Sequence, residues 1–261
     1  MCCSFASRLV IIAAGVFVLA ACQKTDSVEQ AKDPPPATIR PQTSEAAAPA
    51  GLGGILRGQV VFDGTPPTPQ KLLIVKDAAI CGKMDHVDER LTVGKNGGIK
   101  NAVVYLSGVT GGKTLGALGG EFVLDQRVCA YQPHVVIAPI NTPIQILNSD
   151  GILHNIHSFS AKNPPMNLAQ PAFKKQMDIS FATPEAISVK CDVHGWMGAW
   201  IFVVDHPYYA LTDDEGRFVI TDIPPGTYTI HCWQEMLGEQ TAQLNIDAGE
   251  TVHTVKYSSK Q

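Results

Sequence analysis

The sequence predicts an all-β protein, and three observations support this fold class. Short runs rich in β-branched and aromatic residues recur along the chain. Gly, Pro, Asn and Asp, which favour turns, bound these runs. No long segment shows the 3.6-residue period of an amphipathic helix. We therefore expect β-sandwich architecture, with roughly two hundred folded residues forming one large unit or two small domains.

The predicted strands follow one another in chain order. They are residues 55–62, 101–106, 121–124, 135–138, 144–147, 187–190, 199–204, 217–220 and 227–230. Asp63 and Gly64 end the first strand, and the Asp/Gly cluster at 213–216 precedes the strand at 217–220. Pro-Pro-Gly at 224–226 precedes the last. These residues supply the turn conformations that connect short strands.

The first residues predict a leader rather than part of the fold. Arg8 is followed by an unbroken apolar or small run at 9–21, which is too short to span a bilayer. The run ends in Leu-Ala-Ala-Cys22, which resembles a bacterial lipobox. That resemblance implies a signal peptide at 1–21, lipidation of Cys22, and a periplasmic protein anchored in the membrane by its lipid. Gln23 is compatible with the outer membrane. The alternative is an ordinary secretory signal with a cysteine at its cleavage site.

Residues 22–54 predict a flexible tether. The segment is rich in Pro, Ala and Gly and contains few large apolar side chains, so it has little to bury. The formal net charge of the chain is -4, and no Lys/Arg cluster is interleaved with aromatic residues. Nucleic acid is therefore not expected as a partner.

Cysteine usage agrees with export. If Cys22 carries lipid, then Cys81, Cys129, Cys191 and Cys232 remain in the folded part. If Cys191 binds a metal, at most one disulfide can form among the other three. We choose Cys81–Cys129 for that disulfide. Cys232 lies within an apparent strand, where a buried, small, apolar thiol is the ordinary explanation.

The strongest functional signal is the heptapeptide that precedes the strand at 199–204. It places Cys191, His194 and Met197 within seven residues. A thiolate, an imidazole and a weakly bound thioether form the ligand set that holds copper for electron transfer. A second histidine must come from elsewhere, and His154 and His157 are candidates. Residues three apart on a strand do not share a face, so both cannot point at one ion.

Two segments together resemble the cupredoxin family: "NSDGILHNIHSF" and "VKCDVHGWMGAWIFVV". The two-residue spacer between the second histidine and the methionine is the short, amicyanin-like version. The resemblance covers residues 121–205 and implies a Greek-key β-sandwich with one type 1 copper ion. It implies that His154, His194, Cys191 and Met197 are the ligands. Zinc is the main rival metal, because it accepts the same atoms but seldom uses methionine.

The same resemblance suggests roles around the ligands. Asn155 is expected to hydrogen-bond across to the cysteine loop. The ring of His194 is expected to reach the surface, with Trp196 beside it in an apolar docking patch. Met166 could shield the copper. The alternative explanations are a core position for Trp196 and a loop position over apolar surface for Met166.

A second resemblance involves both ends of the folded part. "TDDEGRFVITDIPPGTYTI" resembles the carboxypeptidase-regulatory, transthyretin-like β-sandwich, whose opening strands read much like "GQVVFDG" and "NAVVY". We expect a discontinuous domain at 55–120 plus 206–261, with the copper domain inserted at 121–205. The alternative is two consecutive domains, the first a longer cupredoxin.

These expectations combine into one function. The chain is expected to be a lipid-anchored periplasmic copper protein that carries single electrons to or from a redox protein, such as a cytochrome or dehydrogenase. We do not expect an enzyme, because the sequence contains no His-x-His pair of the multicopper type and no Ser-His-Asp arrangement. The alternatives are non-catalytic copper binding or delivery, and an accessory binding module of an envelope oxidoreductase system.

Overall fold

The computed structural model of the protein describes residues 53–258. The predicted signal peptide at 1–21, the lipidation site Cys22 and the tether up to residue 52 lie outside the described residues. Within 53–258, no helix is long and apolar enough to cross a membrane. Strands dominate this part of the chain, so the predicted all-β sandwich class is confirmed.

Eighteen strands are described. They are β1 (Gly54–Asp63), β2 (Thr92–Val93), β3 (Ile99–Lys100), β4 (Val103–Ser107), β5 (Phe122–Arg127), β6 (Ala130–Gln132), β7 (Val135–Pro139), β8 (Ile144–Asn148), β9 (His154–Phe159), β10 (Asn167–Gln170), β11 (Gln176–Ile179), β12 (Glu185–Lys190), β13 (Gly198–Val204), β14 (Tyr209–Leu211), β15 (Arg217–Ile223), β16 (Gly226–Gln234), β17 (Gly238–Ile246) and β18 (Glu250–Ser258). The helices are α1 (Ala78–Cys81) and a 3-10 turn (Leu115–Leu118).

Each predicted strand overlaps an observed one, but several strands were missed. β17 and β18 are nine residues long and mostly exposed, so they lack the apolar pattern that marks a half-buried strand. Their backbone pairing defines them instead: β17 pairs along its whole length with β16, and β18 pairs in parallel with β1. Such long-range pairing is not visible in local sequence.

One sandwich, which we call the ligand sandwich, is built from β5 to β13. A five-stranded sheet of order β10-β9-β12-β13-β7 faces a four-stranded sheet of order β11-β8-β5-β6. Leu124 and Ile146 of the smaller sheet share one buried core with Ile156, Ile187 and Ile201 of the larger. Fully burying one such aliphatic side chain stabilises the fold by about 1.5–3 kcal/mol, so this core stabilises the strands that carry the connecting loops.

The second sandwich, which we call the flanking sandwich, draws strands from both ends of the described region. Its sheets have the orders β15-β1-β18 and β14-β4-β16-β17. Leu56 and Val60 from β1 pack with Ile220 from β15 and Ile230 from β16 in a separate core. Strands before and after the ligand sandwich therefore pair with one another. The domain boundaries at 120/121 and 205/206 stay predictions.

A third cluster joins the two sandwiches. Val103 of β4 packs with buried residues of β7 and β13. The Trp233 ring meets the rings of Trp200 and Phe202 edge-on, with centroids 4.9 and 4.7 Å apart. Such pairs contribute about 0.5–1.5 kcal/mol each beyond their buried area. His134 Nε2 lies 2.7 Å from Glu235 Oε2 across the same junction, so this histidine forms a hydrogen bond between the two sandwiches.

The connection between β1 and β2 leaves the flanking sandwich and lies against the other one. We call residues 70–88 of this connection the strap. Its two ends pair like the strands of a hairpin: Leu72 N donates to His86 O at 2.9 Å, and Asp88 N donates to Gln70 O at 2.8 Å. Ile74 and Ile80 of the strap pack against the core of the ligand sandwich. A disulfide joins Cys81 to Cys129, the pairing chosen from the sequence.

Candidate metal centre

The heptapeptide 191–197 forms the loop between β12 and β13. These strands are antiparallel partners whose register ends at Lys190 opposite Gly198, so the loop starts and finishes at one point of the sheet. Inside the loop, Met197 N donates to His194 O at 2.9 Å and Cys191 N donates to Met197 O at 3.3 Å. The loop is therefore closed by its own backbone and by the strands beneath it.

His154 is brought to this loop by the next strand of the same sheet. It is the first residue of β9, which pairs with β12 through Lys190 opposite His157. The side chain of His154 is fully buried, whereas that of His157 is 30% exposed. The two histidines therefore lie in different environments, as the three-residue spacing requires, and His154 is the one whose ring lies beside Cys191 Sγ.

Three donor atoms converge where β9 meets the loop. His154 Nδ1 and His194 Nδ1 are 3.0 Å apart, and Cys191 Sγ lies 3.9 and 3.8 Å from them. For a triangle with these sides, the point equidistant from the three atoms lies about 2.1 Å from each. Metal–nitrogen and metal–sulfur bonds in proteins measure about 2.0–2.3 Å. The three donors are therefore spaced as if around one metal ion.

The ring protons support the same conclusion. His154 Nε2 lies 2.9 Å from Asp150 Oδ2, and His194 Nε2 lies 2.9 Å from Asp77 Oδ2. An ionised carboxylate only accepts hydrogen bonds, so each Nε2 carries a proton, and in a neutral ring Nδ1 is then the nitrogen that presents a lone pair. Two buried lone pairs at 3.0 Å repel one another unless a cation lies between them. The histidine pair therefore fits a metal ion, or a shared proton in its absence.

Met197 is the predicted thioether donor, and the structure buries it in the core of the ligand sandwich. It is only 3% exposed and lies in the same buried cluster as Cys191. Two imidazoles, a thiolate and a nearby thioether are the set that type 1 copper uses, whereas a closed zinc site takes four strong nitrogen, sulfur or carboxylate donors. The residues present fit copper, and the clustered His and Cys side chains are able to hold a metal ion.

The electrostatics of the cluster favour a thiolate. Burial tends to raise the pKa of the Cys191 thiol, but the hydrogen bond with His154 and backbone interactions of the loop bring the pKa below its usual value. Burial tends to lower the pKa of His154, but Asp150 and Cys191 raise it to about 9. A deprotonated sulfur beside the two imidazoles is the form that binds a metal.

Asp150 is a site residue that sequence reasoning missed. Its side chain is 4% exposed, and besides His154 it accepts hydrogen bonds from the backbone N–H groups of Val128 and Cys129. It therefore ties the turn after β5 to a predicted ligand and fixes the ring orientation of that ligand. The only signal in the sequence was its position four residues before His154.

Asn155 lies where the cupredoxin resemblance implied. Its Oδ1 accepts from Asp192 N at 2.7 Å, and its Nδ2 donates to Asp192 Oδ2 at 3.1 Å and to Asn167 Oδ1 at 2.7 Å. Asn155 therefore fastens β9 to the cysteine loop. His157 Nδ1 meets the same carboxylate at 3.0 Å on the outside of the loop, at the rim of the site.

The expected surface position of His194 is wrong. The side chain is fully buried because the strap lies over it, and its Nε2 is hydrogen-bonded to the Asp77 carboxylate. Sequence reasoning placed no metal-site residue on the strap and named only Cys81 there, for the disulfide, since residues 70–88 carry no ligand motif and reach the ligand loop only through tertiary packing.

Trp196 and Met166 both lie near the site in partly buried positions. Trp196 packs against the core of the ligand sandwich, donates through Nε1 to Cys129 O at 3.0 Å, and has its ring centroid 5.2 Å from that of His194. Met166 packs on the same core, and its backbone pairs with Ser158. Their role in an apolar docking patch stays a prediction.

The chain is similar to known proteins over parts of its length. The family model of domain II of polysaccharide lyase family 4 matches residues 181–254, less than half of the chain, running from the ligand sandwich into the flanking one. No curated protein matches the chain.

Several solved structures share part of the fold. A copper-containing nitrite reductase from Thermus scotoductus SA-01 is 18% identical over 33% of this chain and 22% of its own length, with a TM-score of 0.28. An oxidized mutant amicyanin is 16% identical over 39% of this chain and 98% of its own, with a TM-score of 0.29. A purple cupredoxin from Nitrosopumilus maritimus is 18% identical over 32% of this chain and 100% of its own, with a TM-score of 0.25. Similarities at these values carry no argument about function, which must come from the site.

Proposed function

We propose that the protein is a type 1 copper protein that carries single electrons. The observation that supports this most is the buried triangle of His154 Nδ1, His194 Nδ1 and Cys191 Sγ, with sides of 3.0 to 3.9 Å. Bound there, copper would supply a one-electron redox couple whose ligand is a thiolate. Met197 would be the weak fourth donor.

The chain's own residues would keep this site nearly unchanged between oxidation states. The loop 191–197 is closed by backbone hydrogen bonds and set on two paired strands. Asp150 and Asp77 hold the two rings, and Asn155 ties β9 to the loop. Donors held in this way move little when the charge at the site changes, which lowers the reorganisation that each electron transfer requires.

The closed donor set favours an electron carrier over an enzyme or a delivery protein. His154 and His194 are 0% exposed, Cys191 1% and Met197 3%. A substrate would need an open coordination position, and a delivery protein would need donors that an acceptor can reach. Retention of the ion and exchange of electrons suit this burial better.

Copper titration of the purified protein tests the proposal. We expect one equivalent of Cu(II) to produce an intense visible thiolate-to-copper band, and Zn(II) to bind without colour. On addition of an apo copper acceptor, the protein should keep its copper. A protein that stays colourless with Cu(II) would rule out the type 1 site, and rapid copper loss to the acceptor would favour delivery.

We infer from the leader and the disulfide that the protein is a lipid-anchored protein of the periplasm. The lipobox-like segment ending at Cys22 suggests a lipid anchor. Fractionation of cells that express the full chain would test whether the protein is found with the membranes. A disulfide such as Cys81–Cys129 persists in oxidising compartments, which supports the periplasm. A redox protein, such as a cytochrome or dehydrogenase, would then be the partner in electron exchange.

Replacing Met197 by Leu should change the reduction potential more than copper affinity. Leucine keeps the buried volume, so the stability cost should stay below about 1.5 kcal/mol. Loss of the thioether removes a donor that stabilises Cu(II), so the potential should rise, as spectroelectrochemical titration would measure. Met177→Leu, on β11 against the same core, is the matched control and should leave the potential unchanged. Equal shifts in both variants would exclude Met197 as a donor.

A further inference from the structure

A carboxylate from outside the ligand sandwich holds one of the two histidines. Asp77 Oδ2 lies 2.9 Å from His194 Nε2; the His194 side chain is 0% exposed and that of Asp77 is 40% exposed. His154 has a matching partner in Asp150, also at 2.9 Å. Asp150 is four residues from its histidine in the chain, whereas Asp77 is 117 residues from His194. The second pair therefore exists only because the strap reaches the site.

The conformation of Asp77 is specialised for this contact. Asp77 is the residue before α1, where an aspartate side chain ordinarily caps the helix by accepting a backbone N–H. Here the side chain makes no capping hydrogen bond, and the backbone adopts φ 51° and ψ 40°, which is uncommon for residues other than glycine. The carboxylate is turned away from its own helix and toward His194. A local role in the strap does not explain that arrangement.

The strap is held in place at this point. His86 Nε2 lies 2.8 Å from Cys81 O, and the hairpin pairing of Leu72 with His86 closes the base of the strap. The disulfide from Cys81 to Cys129 then ties α1, and Asp77 beside it, to the ligand sandwich. The sulfurs of Cys81 and Cys129 and a ring nitrogen of His194 lie within 4.8 Å of one another, so the disulfide lies against the same imidazole.

We propose that Asp77 is a positioning residue of the metal centre, and that the strap closes the His194 side of the site under the Cys81–Cys129 disulfide. The proposal rests on the proposed copper function. Asp77 keeps the ring proton on Nε2 and the lone pair of Nδ1 directed at Cys191 and His154. With its ring held at both ends, His194 does not swing away from the ion. A redox partner would then meet the strap rather than the bare edge of His194.

Copper retention in Asp77 variants tests the proposal. The copper protein is reduced and mixed with a water-soluble Cu(I) chelator, and the rate of copper loss is followed by absorbance. We expect Asp77→Ala to lose copper about 10–100-fold faster than the unsubstituted protein. Asp77→Asn keeps an acceptor oxygen and should recover most of the retention. The matched control is Asp85→Ala, an exposed strap aspartate that pairs only with Lys71 and should leave the rate unchanged.

A measurement on the metal-free protein separates positioning from general stability. Proton–nitrogen NMR of the histidine rings should show a slowly exchanging Nε2–H on His194, which Asp77→Ala loses and Asp85→Ala retains. The double variant Cys81→Ala/Cys129→Ala releases the strap without touching Asp77. It should also lose copper faster, with the visible band still present before the chelator is added.

The outcomes are distinguishable. If the unsubstituted protein shows no visible band after loading with Cu(II), the proposed function itself is wrong. A coloured protein in which Asp77→Ala matches the unsubstituted rate and keeps the protected Nε2–H overturns the role of Asp77. If Asp77→Ala and Asp85→Ala accelerate copper loss equally, the acceleration comes from the lost negative charge of the strap. That result would also overturn the role of Asp77. If the double cysteine variant retains copper as the unsubstituted protein does, the disulfide does not close the site.

Discussion

Replacing Cys191 by Ser abolishes the visible band of the copper-loaded protein and weakens copper binding. Cys191 Sγ is the sulfur that lies 3.9 and 3.8 Å from the two imidazole nitrogens, so in the proposed copper site it would be the source of the thiolate-to-copper transition. A serine hydroxyl at this position is hard and remains protonated at neutral pH. We expect the affinity to fall by more than the roughly 10–100-fold that follows loss of an outer hydrogen-bonding partner. Absorption spectroscopy and competitive copper titration measure the two effects.

Cys232 provides a matched control for this substitution. It is the other free cysteine among the described residues and is also buried, but it belongs to the core of the flanking sandwich. Burial raises the pKa of the Cys232 thiol to about 12, so it remains a thiol at neutral pH. Cys232→Ser should cost stability while leaving the band and the copper affinity intact. Loss of the band in both variants would show that unfolding, rather than ligand loss, is responsible.

Replacing Asp150 by Ala destabilises the metal-free protein and weakens metal binding together. The substitution leaves the backbone N–H groups of Val128 and Cys129 and the ring of His154 without their buried acceptor. Buried donors without an acceptor should lower the free energy of unfolding by about 3 kcal/mol, which denaturant titration would measure. Copper affinity should fall about 10–100-fold, because the His154 ring loses its orientation.

Two further variants sharpen the Asp150 experiment. Asp150→Asn keeps one acceptor oxygen and should show an intermediate loss of both stability and affinity. Asp178→Ala removes an exposed carboxylate of β11 in the same sandwich, and should change stability by less than about 0.5 kcal/mol. If Asp150→Ala unfolds no more easily than Asp178→Ala, the buried hydrogen bonds of Asp150 carry little of the stability assigned to them.

The strands and the ligand loop could be predicted because their signals are local. The apolar run before Cys191 and the one after Met197 are β12 and β13, so the heptapeptide had to be the loop between them. Period-two geometry predicts that His154 and His157 cannot both face one ion, and the structure buries the first side chain and leaves the second 30% exposed. The outward-facing strands β17 and β18 could not be found in this way, since exposed strands carry no apolar pattern.

The two aspartates that hold the histidine rings were not predicted from the sequence. Asp77 is 117 residues from His194, so only tertiary packing brings the two together. Asp150 lies four residues before His154, and this position was its only signal in the sequence. Burial of His194 follows from the strap, whose path is set by packing of Ile74 and Ile80 on the ligand sandwich and by the disulfide.

Local sequence was therefore sufficient for the all-β class, the turn positions and the candidate donors Cys191, His194 and Met197, whereas the cupredoxin resemblance supplied His154. Side-chain periodicity and ligand spacing are properties of a few consecutive residues, which is why they can be read directly. Tertiary structure alone decided that the two imidazoles and the thiol converge within 3.9 Å, that carboxylates hold both rings, and that a segment of the other sandwich covers the site. Those features depend on which surfaces pack together, and packing is a property of the whole chain.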